Sequence, residues 1–239
     1  MTKAQFRKID WSDETIKEFW RYWSEKPDAY FAEALGDTIV KFTQNSLADI
    51  GTSLDFGAGT GGLLAALSRN RNRSFGLDFG QVVVDKLKLR FANDEYVGDI
   101  IGFDETANYK EFFDTIFLIE TIEHMPDRHL HSSMEAIFSM LKPGGWLFIS
   151  TPNDEELKEA EVYCPISKVV FHPMQHLRSW NKDNLYKFLV NKRFAKISCR
   201  EIDLQALLYH SKSEAIKRML KKTLYGNYKD PHLIAFARK

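Results

Sequence analysis

Asp55-Phe56-Gly57-Ala58-Gly59-Thr60-Gly61-Gly62 pairs an acid with a run of glycines, and Asp78 follows about twenty residues past the first glycine. Glycine backbone can turn sharply and approach a ligand that any Cβ would hold off. At a helix start, its N–H groups suit a phosphate or a carboxylate equally well. An acid at the position of Asp78 can accept both hydroxyls of a ribose. These are the requirements of a nucleoside-bearing cofactor. Gly57, Gly59 and Gly62 also satisfy the dinucleotide glycine pattern, so spacing alone does not separate a nicotinamide dinucleotide from S-adenosylmethionine. Asp55 favours the second, because an acid there meets the ammonium group of a methionine moiety and repels a pyrophosphate.

These residues need strands and helices to hold them. Ser53-Leu54-Asp55-Phe56 is a short apolar run that breaks into the glycines, and residues 63–67 then read as helix. The pattern recurs with Ser74-Phe75-Gly76-Leu77-Asp78 before a helix over residues 82–91, and with Glu95-Tyr96-Val97-Gly98-Asp99 as a third strand. Residues 113–119 read as a fourth strand, 130–141 as a helix and 145–150 as a fifth strand. Strands alternating with helices imply a parallel sheet with right-handed crossovers. Ligands bind such sheets at the carboxyl ends of the strands, near the point where strand order reverses. Ahead of the sheet, Ser12-Asp13-Glu14 reads as a helix start. Phe19, Trp20, Trp23, Tyr30, Phe31, Ala34 and Leu35 recur at helical spacing, with Pro27 dividing two helices. Trp20, Tyr22, Trp23, Tyr30 and Phe31 could form a lid over a cation, but that spacing marks most of them as core.

Four segments in order resemble the class I S-adenosylmethionine-dependent methyltransferase family. Leu54-Asp55-Phe56-Gly57-Ala58-Gly59-Thr60-Gly61 resembles its first motif, and Gly76-Leu77-Asp78-Phe79 its second-strand motif. The run from Phe113 through Ile119-Glu120-Thr121-Ile122-Glu123-His124-Met125-Pro126-Asp127 is similar to the segment around its fourth strand. Leu141-Lys142-Pro143-Gly144-Gly145-Trp146 through Thr151-Pro152-Asn153 is similar to the turn and fifth strand. His176-Leu177-Arg178-Ser179-Trp180 and the following helix resemble the ubiquinone-biosynthesis-like (type 11/23) branch.

The resemblance implies an α/β, Rossmann-like fold with a seven-stranded, mostly parallel sheet whose last strand is antiparallel. It implies a sixth strand over residues 195–203 and a seventh over 231–237. One methyltransferase domain is expected: a helical preface over residues 1–50, a cofactor-binding core over 51–153, and a substrate-side segment with a C-terminal cap insertion over 154–239. Asp55 with Gly57, Ala58, Gly59 and Gly61 would hold the methionine end of S-adenosylmethionine. Asp78 would bind the ribose, and Phe79 would pack on the adenine. Asp99 and Ile100 would meet the adenine edge and face, with Leu118 and Glu120 closing the methionine pocket. For Asp78 the competing reading is a turn or helix-cap acid.

A sulfonium methyl is already an activated electrophile, so holding the acceptor in line supplies much of the acceleration. A hydroxyl acceptor also needs a base titrating near neutrality, and histidine fits. His124 follows the fourth strand, and His172 and His176 follow the fifth; His124 and His176 are the catalytic candidates. His124 could equally orient backbone. His172 and His176 have a metal-like spacing, but Pro173 argues against a helix there and no carboxylate lies close in sequence, so no metal site is expected.

The expected activity is methyl transfer to a small-molecule acceptor, with oxygen first, from the branch likeness alone, and nitrogen or carbon behind it. An NAD(P)-dependent oxidoreductase is the rival, but it leaves Lys142-Pro143-Gly144-Gly145 and the closing strand unexplained. A non-catalytic cofactor-binding domain is a third reading. Lys plus Arg and Asp plus Glu both number 33, so no global field draws the chain to nucleic acid or an anionic membrane. Lys212, Lys217, Arg218, Lys221 and Lys222 around Ile216, Met219 and Leu220 could make a peripheral membrane contact, although a solvated face is the plainer expectation. No leader-like or membrane-spanning apolar stretch is read, and Cys164 and Cys199 sit far apart in unlike contexts, so a cytoplasmic location is expected. Oligomeric state leaves no signal.

Overall fold

The computed structural model describes residues 6–47, 49–208 and 229–239. Strand β1 (Arg7–Lys8) opens the chain. Helix α1 (Asp13–Trp23) starts where Ser12 Oγ accepts the Thr15 N–H, and Asp13 and Glu14 complement the positive end of the helix dipole. A 3-10 turn at Pro27–Ala29 then separates α1 from α2 (Phe31–Leu47), as Pro27 requires.

The core alternates β2 (Ser53–Phe56), α3 (Gly62–Arg69), β3 (Ser74–Asp78), α4 (Gln81–Arg90), β4 (Val97–Gly102), β5 (Phe113–Ile119), α5 (Asp127–Met140) and β6 (Leu141–Pro152). Beyond it lie α6 (Leu157–Ala160), β7 (Val162–Cys164), β8 (Val169–Phe171), α7 (Lys182–Asn191), β9 (Ala195–Ile202) and β10 (His232–Arg238). Seven strands pair in the order β4-β3-β2-β5-β6-β10-β9, all parallel except β10, which runs antiparallel to both neighbours. The expected antiparallel last strand is therefore present. The third strand differs: it spans Val97–Gly102, not residues 95–99, because Asp94 caps the preceding turn by accepting the N–H groups of Tyr96 and Val97.

Alternation along β5 explains the two layers. Ile116 and Leu118 pack with α5 and α7 on one face, while Phe117 and Ile119 pack with α2 and α3 on the other. Lys142-Pro143-Gly144-Gly145 serves the opposite end of the sheet from the strand tips. Lys142 pairs with Asp114, whose carboxylate also accepts the Thr52 N–H, and Arg238 donates to the Gly144 carbonyl. Strands β1, β8 and β7 form a separate small sheet that the periodicity does not show, since each has only two or three residues. The basic segment from Lys212 to Lys222 and most of the expected C-terminal insertion lie outside the described residues. No helix among the described residues is long and apolar enough to cross a membrane.

Helices α2 and α3 meet at Gly62, where an added Cβ would fall 2.5 Å from the Glu33 nitrogen and 2.6 Å from the Ala32 carbonyl carbon. Backbone cannot rotate aside as a side chain can. Gly62→Ala is therefore expected to destabilise the fold by about 1–3 kcal/mol, the usual range for forced overpacking. Urea unfolding checks this; an unchanged midpoint would mean that the two helices are not locked together here.

Candidate active site

Strand order reverses between β2 and β5, and the loops after these strands and β3 open into a cavity of about 780 Å³. At one end lie Asp55, Gly57, Ala58, Gly59, Asp78 and Phe79, six of the residues expected at the cofactor. Asp78 receives the Gly59 N–H on Oδ2 and the Gly80 N–H on Oδ1, both at 3.0 Å. It is thus a turn acid that ties the glycine loop to the tip of β3, and these bonds leave part of the carboxylate's acceptor capacity for a ligand. Burial raises the Asp78 carboxyl to about 6. Burial, with the Asp78 charge adding to it, raises Asp55 to about 8. A cationic group beside the two acids relieves both.

Gly59 has φ +53°, and a Cβ there would meet the Tyr30 ring at 2.6 Å, so the loop is closed over by the helical preface. Gly61 caps α3 in the left-handed region and packs toward Phe91 and Leu87; it does not line the cavity. Phe79 stacks on Phe103 at 5.3 Å and 23°. Phe103 backs Phe79 without lining the cavity itself, and the sequence does not point to it because the strand before it reads as ending earlier.

Besides Gly61, three expected positions fall outside the cavity lining. Asp99 lies within β4, not at its end, and its carboxylate accepts the Tyr109 hydroxyl at 2.8 Å. Ile100 is buried against Ala58 and Leu64. Leu118 is wholly buried among the α5 side chains; Ile119, Glu120 and Thr121 meet the cavity instead. Glu120 stands at φ +44° with its carboxylate accepting the Ser150 hydroxyl at 2.8 Å. Burial raises both Glu120 and Glu123, and each is raised further by carboxylates nearby.

Away from the glycine loop the cavity is walled by Trp20, Trp23, Phe31, Met125 and Met174, with Tyr30 standing between Trp20 and Gly59. These aromatics were expected mostly in the core, yet α1 contributes no buried residue: helical spacing marks a covered face without saying whether the cover is protein or a cavity. Gln175 holds this wall in place. Its amide accepts from Trp20 Nε1 at 2.8 Å and donates to the His124 carbonyl at 2.9 Å.

Here the two catalytic candidates come together. The His124 and His176 rings lie 4.9 Å apart, and both line the cavity. Burial, then the neighbouring His176, lowers His124 to about 3, so it stays neutral. Glu155 supplies what the sequence did not show: its two oxygens lie 2.5 Å from His176 Nδ1 and 3.2 Å from His172 Nε2. No periodic signal links Glu155 to residues seventeen and twenty-one positions later, since the short elements α6, β7 and β8 between them carry the chain back there. Glu123 is the other omission, although the pattern Glu120-Thr121-Ile122-Glu123-His124 directly after a strand holds three chemically capable side chains.

A proton lost from Asp78 should govern cofactor affinity in mild acid. Its ionised form accepts the ribose hydroxyls, so the Asp78 contribution to affinity is full above about 6 and is lost as pH drops through that value, on top of the loss from Asp55, which must ionise to pair with the ammonium group. Between pH 7 and 5, the Kd for S-adenosylhomocysteine is expected to rise at least about tenfold, the linkage for one proton from Asp78 alone. Calorimetric titration reads it, and an Asp78→Ala variant should make the profile less steep. A wild-type profile that stays flat would contradict the Asp78 assignment.

A methyltransferase domain family matches residues 21–221. A ubiquinone biosynthesis O-methyltransferase of Hydrogenovibrio crunogenus is 31% identical over 107 residues, a match covering 43% of each chain. The match therefore spans less than half the length of that relative. Among solved structures, a 1,6-didemethyltoxoflavin N1-methyltransferase of Burkholderia thailandensis, with 1,6-didemethyltoxoflavin and S-adenosylhomocysteine bound, superposes at TM-score 0.63. It is 14% identical, covering 100% of this chain and 97% of that one. A methyltransferase from Archaeoglobus fulgidus gives TM-score 0.59 at 15% identity, covering 92% and 99%. At such identities the structural likeness speaks for the fold.

Proposed function

The chain belongs to this methyltransferase family and is S-adenosylmethionine-dependent, and we propose that it methylates an oxygen of a small, largely apolar hydroxylated acceptor. The carrying observation is the Glu155–His176 pair at the aromatic end of the cavity, across from the acids and glycines that fit the cofactor. The fit is chemical: Asp55, Gly57, Ala58, Gly59 and Asp78 line one cavity, and Asp55 is a buried acid relieved by an ammonium group. Bound there, S-adenosylmethionine supplies the activated methyl group.

The chain itself positions and deprotonates the acceptor. Trp20, Trp23, Tyr30, Phe31 and the methionines bury an apolar body and exclude water. Glu155 accepts the His176 Nδ1 proton, which leaves Nε2 as the basic nitrogen, able to take the acceptor hydroxyl's proton. His124, held neutral by burial, shapes the wall beside it. The oxygen assignment draws support from this imidazole and from the name of the Hydrogenovibrio relative.

Two measurements test the reading. S-adenosylhomocysteine at a hundredfold excess over its Kd should raise the melting temperature by about 5–10 °C through preferential binding to the native state, and NADH should not. A shift with NADH alone would overturn the cofactor reading for this chain. Next, a panel of hydroxylated aromatic compounds is incubated with labelled cofactor, and the product's methyl is located by NMR. An O-methyl is expected; an N- or C-methyl product overturns the oxygen assignment.

A further inference from the structure

We infer that Glu123, His124 and His176 form a binding site for one divalent transition-metal ion at the acceptor end of the cavity, with Glu155 holding His176 from behind. The inference deepens the oxygen-acceptor reading and rests on it for its catalytic meaning, though not for its geometry.

A carboxylate oxygen of Glu123 and one nitrogen of each imidazole all lie within 4.8 Å of one another. Donors around a common ion stand roughly 3–4 Å apart, as metal–ligand bonds of about 2.0–2.2 Å require. Small side-chain movements would therefore close the set. Glu123 is 1% exposed; its Oε2 accepts the Thr151 hydroxyl at 3.0 Å, but its Oε1 has no hydrogen-bond partner among the described residues. That oxygen lies 3.8 Å from His124 Nε2. His124 Nδ1 likewise has no partner among the described residues. A buried, unpartnered carboxylate oxygen facing imidazole is costly unless something cationic completes it.

The surroundings decide which imidazoles can bind. His172, His176 and Glu155 also lie within 4.8 Å of one another. His172 Nδ1, however, accepts the backbone N–H groups of Met174 and His176, which puts its proton on Nε2, facing Glu155. That nitrogen has no lone pair to give. His176 is arranged the other way: Nδ1 donates to Glu155 and Nε2 keeps its lone pair. A carboxylate behind a histidine is the usual orienting partner of a metal-bound imidazole. Glu155 and His172 thus stand behind the ligands, and the ion is assigned to Glu123, His124 and His176.

Two imidazoles and one carboxylate select a borderline ion such as Zn²⁺ or Mn²⁺ over Mg²⁺, and three protein ligands leave positions open. An acceptor hydroxyl entering an open position ionises more readily. Its O–H bond breaks as the metal–oxygen bond forms, the proton passes to solvent, and no atom changes oxidation state. With the ion bound, His176 Nε2 is occupied by metal instead of by the acceptor's proton.

The test is titration of the EDTA-treated, desalted full chain with Zn²⁺, Mn²⁺ and Mg²⁺ by calorimetry, and with Co²⁺ by visible absorption. One equivalent of Zn²⁺ or Co²⁺ should bind, Mg²⁺ more weakly. Glu123→Gln should abolish binding, and Glu155→Gln should weaken it about 10–100-fold. His131→Ala, on the exposed face of α5, should leave it unchanged. If Glu123→Gln does not fold by circular dichroism, the partly exposed Glu155 variant decides. Failure of wild type to bind any of these ions, or binding indifferent to the Glu155 change, overturns the proposal. S-adenosylhomocysteine is titrated into the same sample: if it binds and no metal does, the metal site alone falls, and if metal binds and it does not, the cofactor reading alone falls.

Discussion

His176→Ala is expected to lower turnover by about two to four orders of magnitude while leaving S-adenosylhomocysteine affinity within about twofold of wild type. Both halves follow from position. His176 stands among the aromatics of the acceptor end, and the acids and glycines suited to the cofactor stand at the other. An imidazole that draws off a hydroxyl proton, directly or through an ion it holds, acts on the reacting oxygen and not on the nucleoside. Glu155→Gln should follow it more mildly, since the amide still reaches Nδ1 but no longer stabilises an imidazolium or fixes the tautomer. His124→Ala separates the alternatives for the second histidine: a neutral wall residue affects acceptor KM more than kcat, whereas a ligand or base affects kcat. The measurement is kcat and KM with an acceptor that the wild type turns over, together with calorimetry for the cofactor product. Turnover in His176→Ala close to wild type would leave approximation and desolvation as the whole mechanism.

The cofactor end was legible because its chemistry is written in adjacent residues. Glycines that must adopt positive φ, and an acid at a strand tip, leave the same trace whatever surrounds them, and Asp55, Gly57, Gly59 and Asp78 line one cavity. The sheet was legible for a related reason: β2, β3 and β5 are buried runs bounded by turn residues. Asp99 and Ile100 fall outside the cavity lining because the strand read over residues 95–99 runs on to Gly102, which leaves both within β4 and not at its tip. The acceptor end was far less legible. Glu155 reaches His172 and His176 through tertiary folding of the short elements α6, β7 and β8, and Gln175 crosses from α1 to the loop after β5 at φ +59°. Neither arrangement has a period in the sequence. The aromatic preface shows the remaining ambiguity, because a helix facing a cavity and one facing a core carry the same stripe.

Asp78→Ala is expected to weaken S-adenosylhomocysteine binding roughly a hundredfold, about 3 kcal/mol, from the loss of two hydrogen bonds to an ionised acceptor. The structure raises a competing cause. Because Asp78 also receives the Gly59 and Gly80 N–H groups, its removal frees the glycine loop, and affinity could fall even if Asp78 never touches the ribose. Asp78→Asn does not resolve this: an amide offers one oxygen, and its NH₂ would face one of the two backbone donors. A cycle with a cofactor product lacking the ribose hydroxyls does resolve it. If Asp78 binds those hydroxyls, the wild type loses affinity for the deoxy compound, while Asp78→Ala binds it and the parent compound almost equally. If Asp78 only holds the loop, the deoxy penalty is the same in both proteins and the two effects add. Additivity in that cycle would reduce Asp78 to a turn residue and move the ribose site elsewhere on the cavity wall.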